Sequence, residues 1–171
     1  GNLPDVSADL PELANTPMLV VCAGAKIVLD LPATREWLET NGVCILGWQC
    51  DEMPAFYSRK SGLKVDERVE TVEEVVQIIK SRDELEMQNA ILLTVPVPEK
   101  FEVSREKLDT ILQSALTEAE AQNILGKEIT PFLLAKMSAT SQGKTLQANI
   151  ALLENNARIA AQVATVIRSK E

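Results

Sequence analysis

Three uninterrupted apolar runs of strand length punctuate the first hundred residues: 18–22 (MLVVC), 43–48 (VCILGW) and 90–95 (AILLTV). Runs without the polar alternation of a half-exposed strand predict strands covered on both faces. Between them the period becomes helical. Pro32 suits the first turn of a helix over 31–40, and Asn41-Gly42 supplies its stop. Thr71-Val-Glu-Glu74 is a capping box ahead of Val72, Val75, Val76 and Ile79, which fall on one helical face. This alternation predicts an α/β fold: a mainly parallel sheet flanked by helices in an α/β/α arrangement.

After residue 95 the pattern changes. Pro96 and Pro98 stop any ladder, and no further strand pattern follows them, so the C-terminal half is expected to be helix-rich. Ser104 is expected to cap a helix running to about Gln122, with Leu108, Ile111, Leu112 and Ala115 on one face. Thr130-Pro131 opens a short helix, and Thr145 caps a long final one with Leu146, Ile150, Leu153, Ala157, Ala160 and Ala164 inward. No Gly-, Ser- or Pro-rich linker and no internal repeat divides the chain, so 1–171 reads as a single domain.

Charge and composition narrow the function. With 17 Lys+Arg against 25 Asp+Glu, a net −8, and no cationic cluster, a nucleic-acid polymer is not an expected partner. There is no His for a zinc site, and three Cys without a CxxC fit a reducing compartment rather than a disulfide scaffold. The apolar runs fall far short of the ~20 residues of a membrane span, and the opening residues are polar and acidic rather than a signal peptide. The expected location is cytoplasmic, or another reducing compartment, with no membrane partner.

Candidate chemistry gathers at the end of the first strand, where Cys22-Ala23-Gly24-Ala25-Lys26 brings small residues and then an amine. Ligands of open α/β sheets collect at the carboxyl ends of strands, and a desolvated lysine becomes a neutral amine able to attack a carbonyl or anomeric carbon. A surface lysine at a strand end explains the same pattern. Ser7 reads as a helix N-cap with Asp9 in the first turn, and the Asp9 carboxylate could instead hold magnesium or manganese. Asn149 shares a helical face with Leu146 and Leu153, where a buried amide would need partners. Gly143-Lys144-Thr145 lacks the upstream glycine and strand of a P-loop, leaving a helix N-terminus open to an anion or a plain loop and cap.

Four stretches in fixed order, from Asp5 to about Val163, carry a more specific signal: DVSADLPELANTPMLVVCAGAKIVLDLPATREWLETNGV, DEMPAFYSRKSGLKV, GKEITPFLLAKM and GKTLQANIALLENNARIAAQVA. Together they resemble the pseudouridine-5'-phosphate glycosidase, or indigoidine synthase A-like, family. The resemblance implies reversible cleavage of the C–C glycosidic bond of pseudouridine 5'-phosphate to ribose 5-phosphate and uracil, with a divalent metal, typically manganese, in a homotrimer. It places the family's adduct-forming lysine on Lys26, its metal-associated aspartate on Asp9, a phosphate-contacting serine on Ser7 and an active-site asparagine on Asn149.

The shared segment corresponds to the C-terminal portion of the family's fold. The proton-donating glutamate and further phosphate and metal residues belong to the portion ahead of it. Val95 stands where the family usually has Asn, and Gln49-Cys50 where it has small or hydroxyl residues. A catalytically inactive member that binds ribose 5-phosphate or assembles with full-length subunits is the second expectation. A helical adaptor is the third.

Overall fold

The computed structural model describes residues 7–124 and 128–169. The start of the resemblance at Asp5 and the Gly126-Lys127 opening of its third stretch lie outside them. Within the described residues four strands, β1 (Leu19–Cys22), β2 (Cys44–Trp48), β3 (Glu67–Val69) and β4 (Ile91–Thr94), form one sheet in the order β1-β4-β2-β3. Every pair is parallel, with Leu19 opposite Ile91, Cys44 opposite Ile91 and Leu46 opposite Glu67. The last strand in sequence is thus central, and its four residues are all buried.

Helices cover both faces, as the alternating pattern predicts. On one face α1 (Leu10–Asn15) and α2 (Leu31–Thr40) pack Leu10 and Leu38 against Ile45, Leu92 and Met53. On the other, α3 (Val72–Glu84) and the 26-residue α6 (Lys144–Ser169) bury Val75, Val76, Ile159 and Val163 against Leu46, Ile91 and Leu93. A third cluster joins α4 (Arg105–Ala121), α5 (Ile129–Thr140) and the start of α6 through Leu108, Ala115, Leu133, Met137 and Leu152. That cluster reaches Ala23, Ile27 and Tyr57, so the helical half braces the loops beyond the strand ends.

Local signals account for several element boundaries. Asp30 accepts from the Ala33 amide at the start of α2, and Pro32 occupies its first turn. At α3 the capping box is complete: Thr71 Oγ1 accepts from the Glu74 amide while the Glu74 carboxylate accepts from the Thr71 amide.

Four expectations are corrected. β3 escapes the apolar-run pattern because it is three residues long and exposes Glu67 and Arg68 at the sheet edge. Ser7 does not cap α1: Asp9 holds the N-cap position, and the Ser7 hydroxyl instead accepts from the Asp9 amide at 3.3 Å. Thr145 does not cap α6 either. It lies inside the helix, buried, and its amide donates to Ser141 Oγ at 3.2 Å. Finally, α6 turns Thr145, Ala148, Leu152, Asn156, Ile159 and Val163 to the core, whereas Leu146, Ile150 and Leu153 are 54%, 51% and 57% exposed. The helix carries two apolar stripes, and periodicity alone ranks the bulkier one first. Ser104 does precede α4, but without a side-chain bond to the helix.

Candidate functional site

The end of β1 is shaped by a close backbone crossing. Residues 51–66 return from β2 to β3 without a helix and fold over the β1 terminus through a bridge between Gly24 and Ala55. Gly24 has φ +79°, and a Cβ there would sit 1.7 Å from the Pro54 carbonyl oxygen, so only glycine fits. Two residues on, the Phe56 amide donates to the Ala23 carbonyl at 3.0 Å. Phe56 itself has φ +61°, a conformation rare for a bulky side chain, and its ring meets Tyr57 edge-on at 4.9 Å.

Beneath this crossing lies a cavity of about 240 Å³ between the sheet and α1 and α2. Its walls are largely aliphatic, including Leu10, Val20, Leu38, Met53 and Leu92, with Phe56 beside them. The polar groups are few: Ser7, Asp9, Cys22, Lys26 and Thr34. Lys26 is half-buried on the loop after β1, and its carbonyl accepts from the Leu29 amide in the turn that leads to α2. Ser7 donates to Asp9 Oδ2 at 3.1 Å, which holds hydroxyl and carboxylate together at the foot of α1.

Burial pushes the Cys22 thiol up to about 11, against a smaller opposing effect of a hydrogen bond from the Gly24 backbone. It is therefore a neutral wall at physiological pH and not a nucleophile. Lys26 is then the cavity's one amine, facing small and apolar neighbours.

Of the four residues singled out in the sequence, Ser7, Asp9 and Lys26 line this cavity and Asn149 does not. Asn149 is half-buried on α6 and is not among the lining residues. The nearby Asn155 amide donates to the Pro96 carbonyl at 3.3 Å, and Asn156 is the buried one of the three. Sequence reading missed Phe56 and Thr34 as lining residues. Phe56 follows a Pro-Ala pair in an irregular segment, and nothing in periodicity reports a positive φ.

The Asp9 carboxylate and Ser7 hydroxyl are hard oxygen donors of the kind that suit magnesium or manganese with water completing the shell. No group of three acidic, His or Cys side chains able to hold a metal occurs among the described residues. A divalent cation here would rest on one carboxylate and one hydroxyl among the described residues, with water completing its shell.

A parallel sheet with helices on both faces and an amine-bearing cavity at the carboxyl end of a strand defines an α/β protein of the open-sheet class, in which ligands generally collect at strand ends. The chain belongs to the indigoidine synthase A like protein family, whose profile matches residues 2–166. It is 49% identical over 160 residues to a pseudouridine-5'-phosphate glycosidase of Caldanaerobacter subterraneus subsp. tengcongensis, covering 94% of this chain and 52% of that protein. A pseudouridine-5'-phosphate glycosidase of Geobacillus kaustophilus is 48% identical, with 94% and 53% covered.

Among solved structures, an indigoidine synthase A-like protein of Thermotoga maritima matches with a TM-score of 0.86 at 40% identity, over 95% of this chain and 54% of that one. The prealnumycin C-glycosynthase AlnA, solved with ribulose 5-phosphate, matches with a TM-score of 0.86 at 28% identity, over 96% and 56%. The chain spans about half the length of the relatives it matches.

Proposed function

We propose that this chain supplies the lysine-bearing part of a pseudouridine-5'-phosphate glycosidase, which reversibly cleaves the C–C bond between ribose 5-phosphate and uracil. The observation that carries the reading is the shared cavity of Lys26, Asp9 and Ser7 at the β1 terminus. The naming of its relatives supports the same reaction.

The chemistry calls for an amine. An ordinary glycosidase protonates a leaving oxygen, and a C–C glycoside has none. In the proposed sequence Lys26 Nζ bonds to C1' as the ring C1'–O4' bond breaks, and O4' takes a proton. The nitrogen lone pair then expels uracil: the C1'–C electron pair leaves with the base carbon as that carbon is protonated, and an iminium remains at C1'. Water adds to the iminium, releasing ribose 5-phosphate and regenerating the amine. Lys26 is the nucleophile, and Ser7 with neighbouring backbone amides holds the 5'-phosphate. The proton for the base comes from the glutamate that the family carries ahead of the matched segment.

Asp9 would hold manganese, which when bound supplies positive charge next to the phosphosugar. Asn149 orients ribose or lysine once further structure brings substrate toward α6. A homotrimer belongs to the same reading, tested by sedimentation mass.

The test is borohydride trapping with ribose 5-phosphate and manganese, read by intact and peptide mass. An adduct confined to Lys26, lost in Lys26→Ala and weakened in Asp9→Asn, is the expected result. A folded chain that gives no adduct, or one that traps sugar equally after Lys26→Ala, overturns the assignment of Lys26 and favours the inactive phosphosugar-binding reading.

A further inference from the structure

We propose that the groove at the amino ends of β2 and β4 binds a small aliphatic monocarboxylate, whose carboxylate pairs with Arg82 while its hydrocarbon body fills the apolar lining. The site lies at the opposite end of the parallel strands from Lys26, which follows the carboxyl end of β1, and it does not depend on the proposed glycosidase chemistry.

The groove holds about 240 Å³. Cys44 and Ile91, the first residues of β2 and β4, line it together with Ile78, Leu85, Met87 and Ala90. Hydrogen bonds fix its frame. The Asn89 side-chain amide donates to the Ala14 carbonyl at 3.0 Å and to the Asn41 carbonyl at 2.7 Å, which ties the ends of α1 and α2 to the entry of β4. At the end of α3, Glu86 has φ +54°, and the Glu86 and Met87 amides donate to the Asp83 and Arg82 carbonyls at 3.0 and 3.1 Å. That left-handed turn closes α3 and sets Leu85 and Met87 beside the groove.

Arg82, which also lines the groove, holds the group that calls for a ligand. A basic residue in the last turn of a helix is ordinarily explained by the helix dipole, and its charged end reaches into water. The Arg82 side chain is instead only 10% exposed. Asp83 Oδ1 accepts from Nε at 2.9 Å and from Nη2 at 2.6 Å, which occupies one edge of the planar guanidinium. Nη1, at the other edge, is buried and donates to nothing. A buried donor without an acceptor is costly, and a guanidinium edge matches a carboxylate through two parallel bonds. Among the described residues no Asp or Glu lines the groove to compete. The Cys44 thiol, pushed up by burial and then by Asp66 and Glu67, is neutral and does not repel an anion.

Size and polarity select the ligand. At the ~30 Å³ that a water takes in the liquid, the groove has room for roughly eight non-hydrogen atoms, the number in hexanoate. Its largely apolar lining suits a hydrocarbon chain and would leave the hydroxyls of a sugar without partners. Leu85 and Met87 are 71% and 44% exposed, so both are free to move aside as a ligand enters.

The experiment titrates hexanoate into the 15N-labelled chain and follows the backbone amides by NMR. 1-Hexanol serves as the probe without the charge, and acetate as the probe without the hydrocarbon body. Hexanoate is expected to saturate with a Kd of about 1 mM or tighter, and the two controls to bind at least about tenfold more weakly. The shifts should fall on Cys44, Leu85, Met87 and Ile91. Arg82→Gln should weaken hexanoate about tenfold and leave hexanol unchanged. Leu85→Asp, at an exposed position, should weaken hexanoate by repulsion and keeps the test open if Arg82→Gln does not fold. Four outcomes overturn the proposal: no saturation by hexanoate, hexanol or acetate binding as tightly, shifts at Ala25 and Lys26 in place of the groove, or hexanoate affinity unchanged in the folded variants.

Discussion

At the scale of single residues, the β1 terminus depends on contacts that leave no room for alternatives. Gly24→Ala combines a positive φ with a Cβ driven into the Pro54 carbonyl. Left-handed strain alone costs about 1–3 kcal/mol, so a loss of at least ~2 kcal/mol is expected, a fall of roughly 4–8 °C in melting temperature by calorimetry. Lys26 makes no side-chain hydrogen bond in the described structure, and Lys26→Ala should melt as the parent does while losing the sugar adduct. Cys22 offers a separate check on which group is reactive. With its thiol held up to about 11 by burial, alkylation by iodoacetamide at pH 8 should be slower than that of an unfolded control by about two orders of magnitude. Equal rates in the two would show that the cavity wall opens to solvent.

Among the elements, α6 depends on a cap that lies a full turn ahead of where composition suggests it. Ser141 Oγ accepts from the Thr145 amide and sits 3.1 Å from Thr145 Oγ1, all of it buried. Ser141→Ala should cost about 1 kcal/mol and shift the thermal midpoint by roughly 2–4 °C, whereas Thr145→Ser should shift it less.

Elements whose physics is local were legible in the sequence. The three apolar strands, α2 with its proline and the Thr71–Glu74 box all form as their residues dictate. β3 was not legible, because a three-residue edge strand takes its identity from its partner β2 and from Asp66. That carboxylate accepts from the Ile45 amide and pairs with Arg35, fastening the crossover to both β2 and α2. The inward face of α6 was hidden for a related reason. Two apolar stripes share one helix, and only the sheet decides which one is covered. In the cavity, Ser7, Asp9 and Lys26 could be picked out because they cluster near one strand end, while Phe56 comes from an irregular loop whose path over Gly24 is purely tertiary.

For the molecule as a whole, the titration of its thiols sets an alkaline limit. Burial raises Cys22 and Cys50 to about 11, with Arg59 and Arg68 partly opposing the shift at Cys50. Burial raises Cys44 as well, aided by Asp66 and Glu67. The folded chain then holds protons that the unfolded chain has released, so stability is full below the ordinary thiol range and declines as pH climbs toward about 11. Denaturant midpoints should be level up to about pH 8 and fall steadily above it. A midpoint that stays level to pH 11 would mean that these thiols are solvated.

The central position of β4 has a consequence for how the chain is made. β1 and β2 do not touch each other in the sheet, since β4 lies between them. Roughly 70 residues separate the end of β1 from β4, which at ~5–20 residues per second is several seconds of synthesis. Through that interval the two apolar strands emerge without β4, the partner that joins them in this sheet, and α6, which seals one face, follows all four strands. A nascent chain stalled before Ile91 should therefore engage holding chaperones and yield to protease, and one extended past α6 should resist.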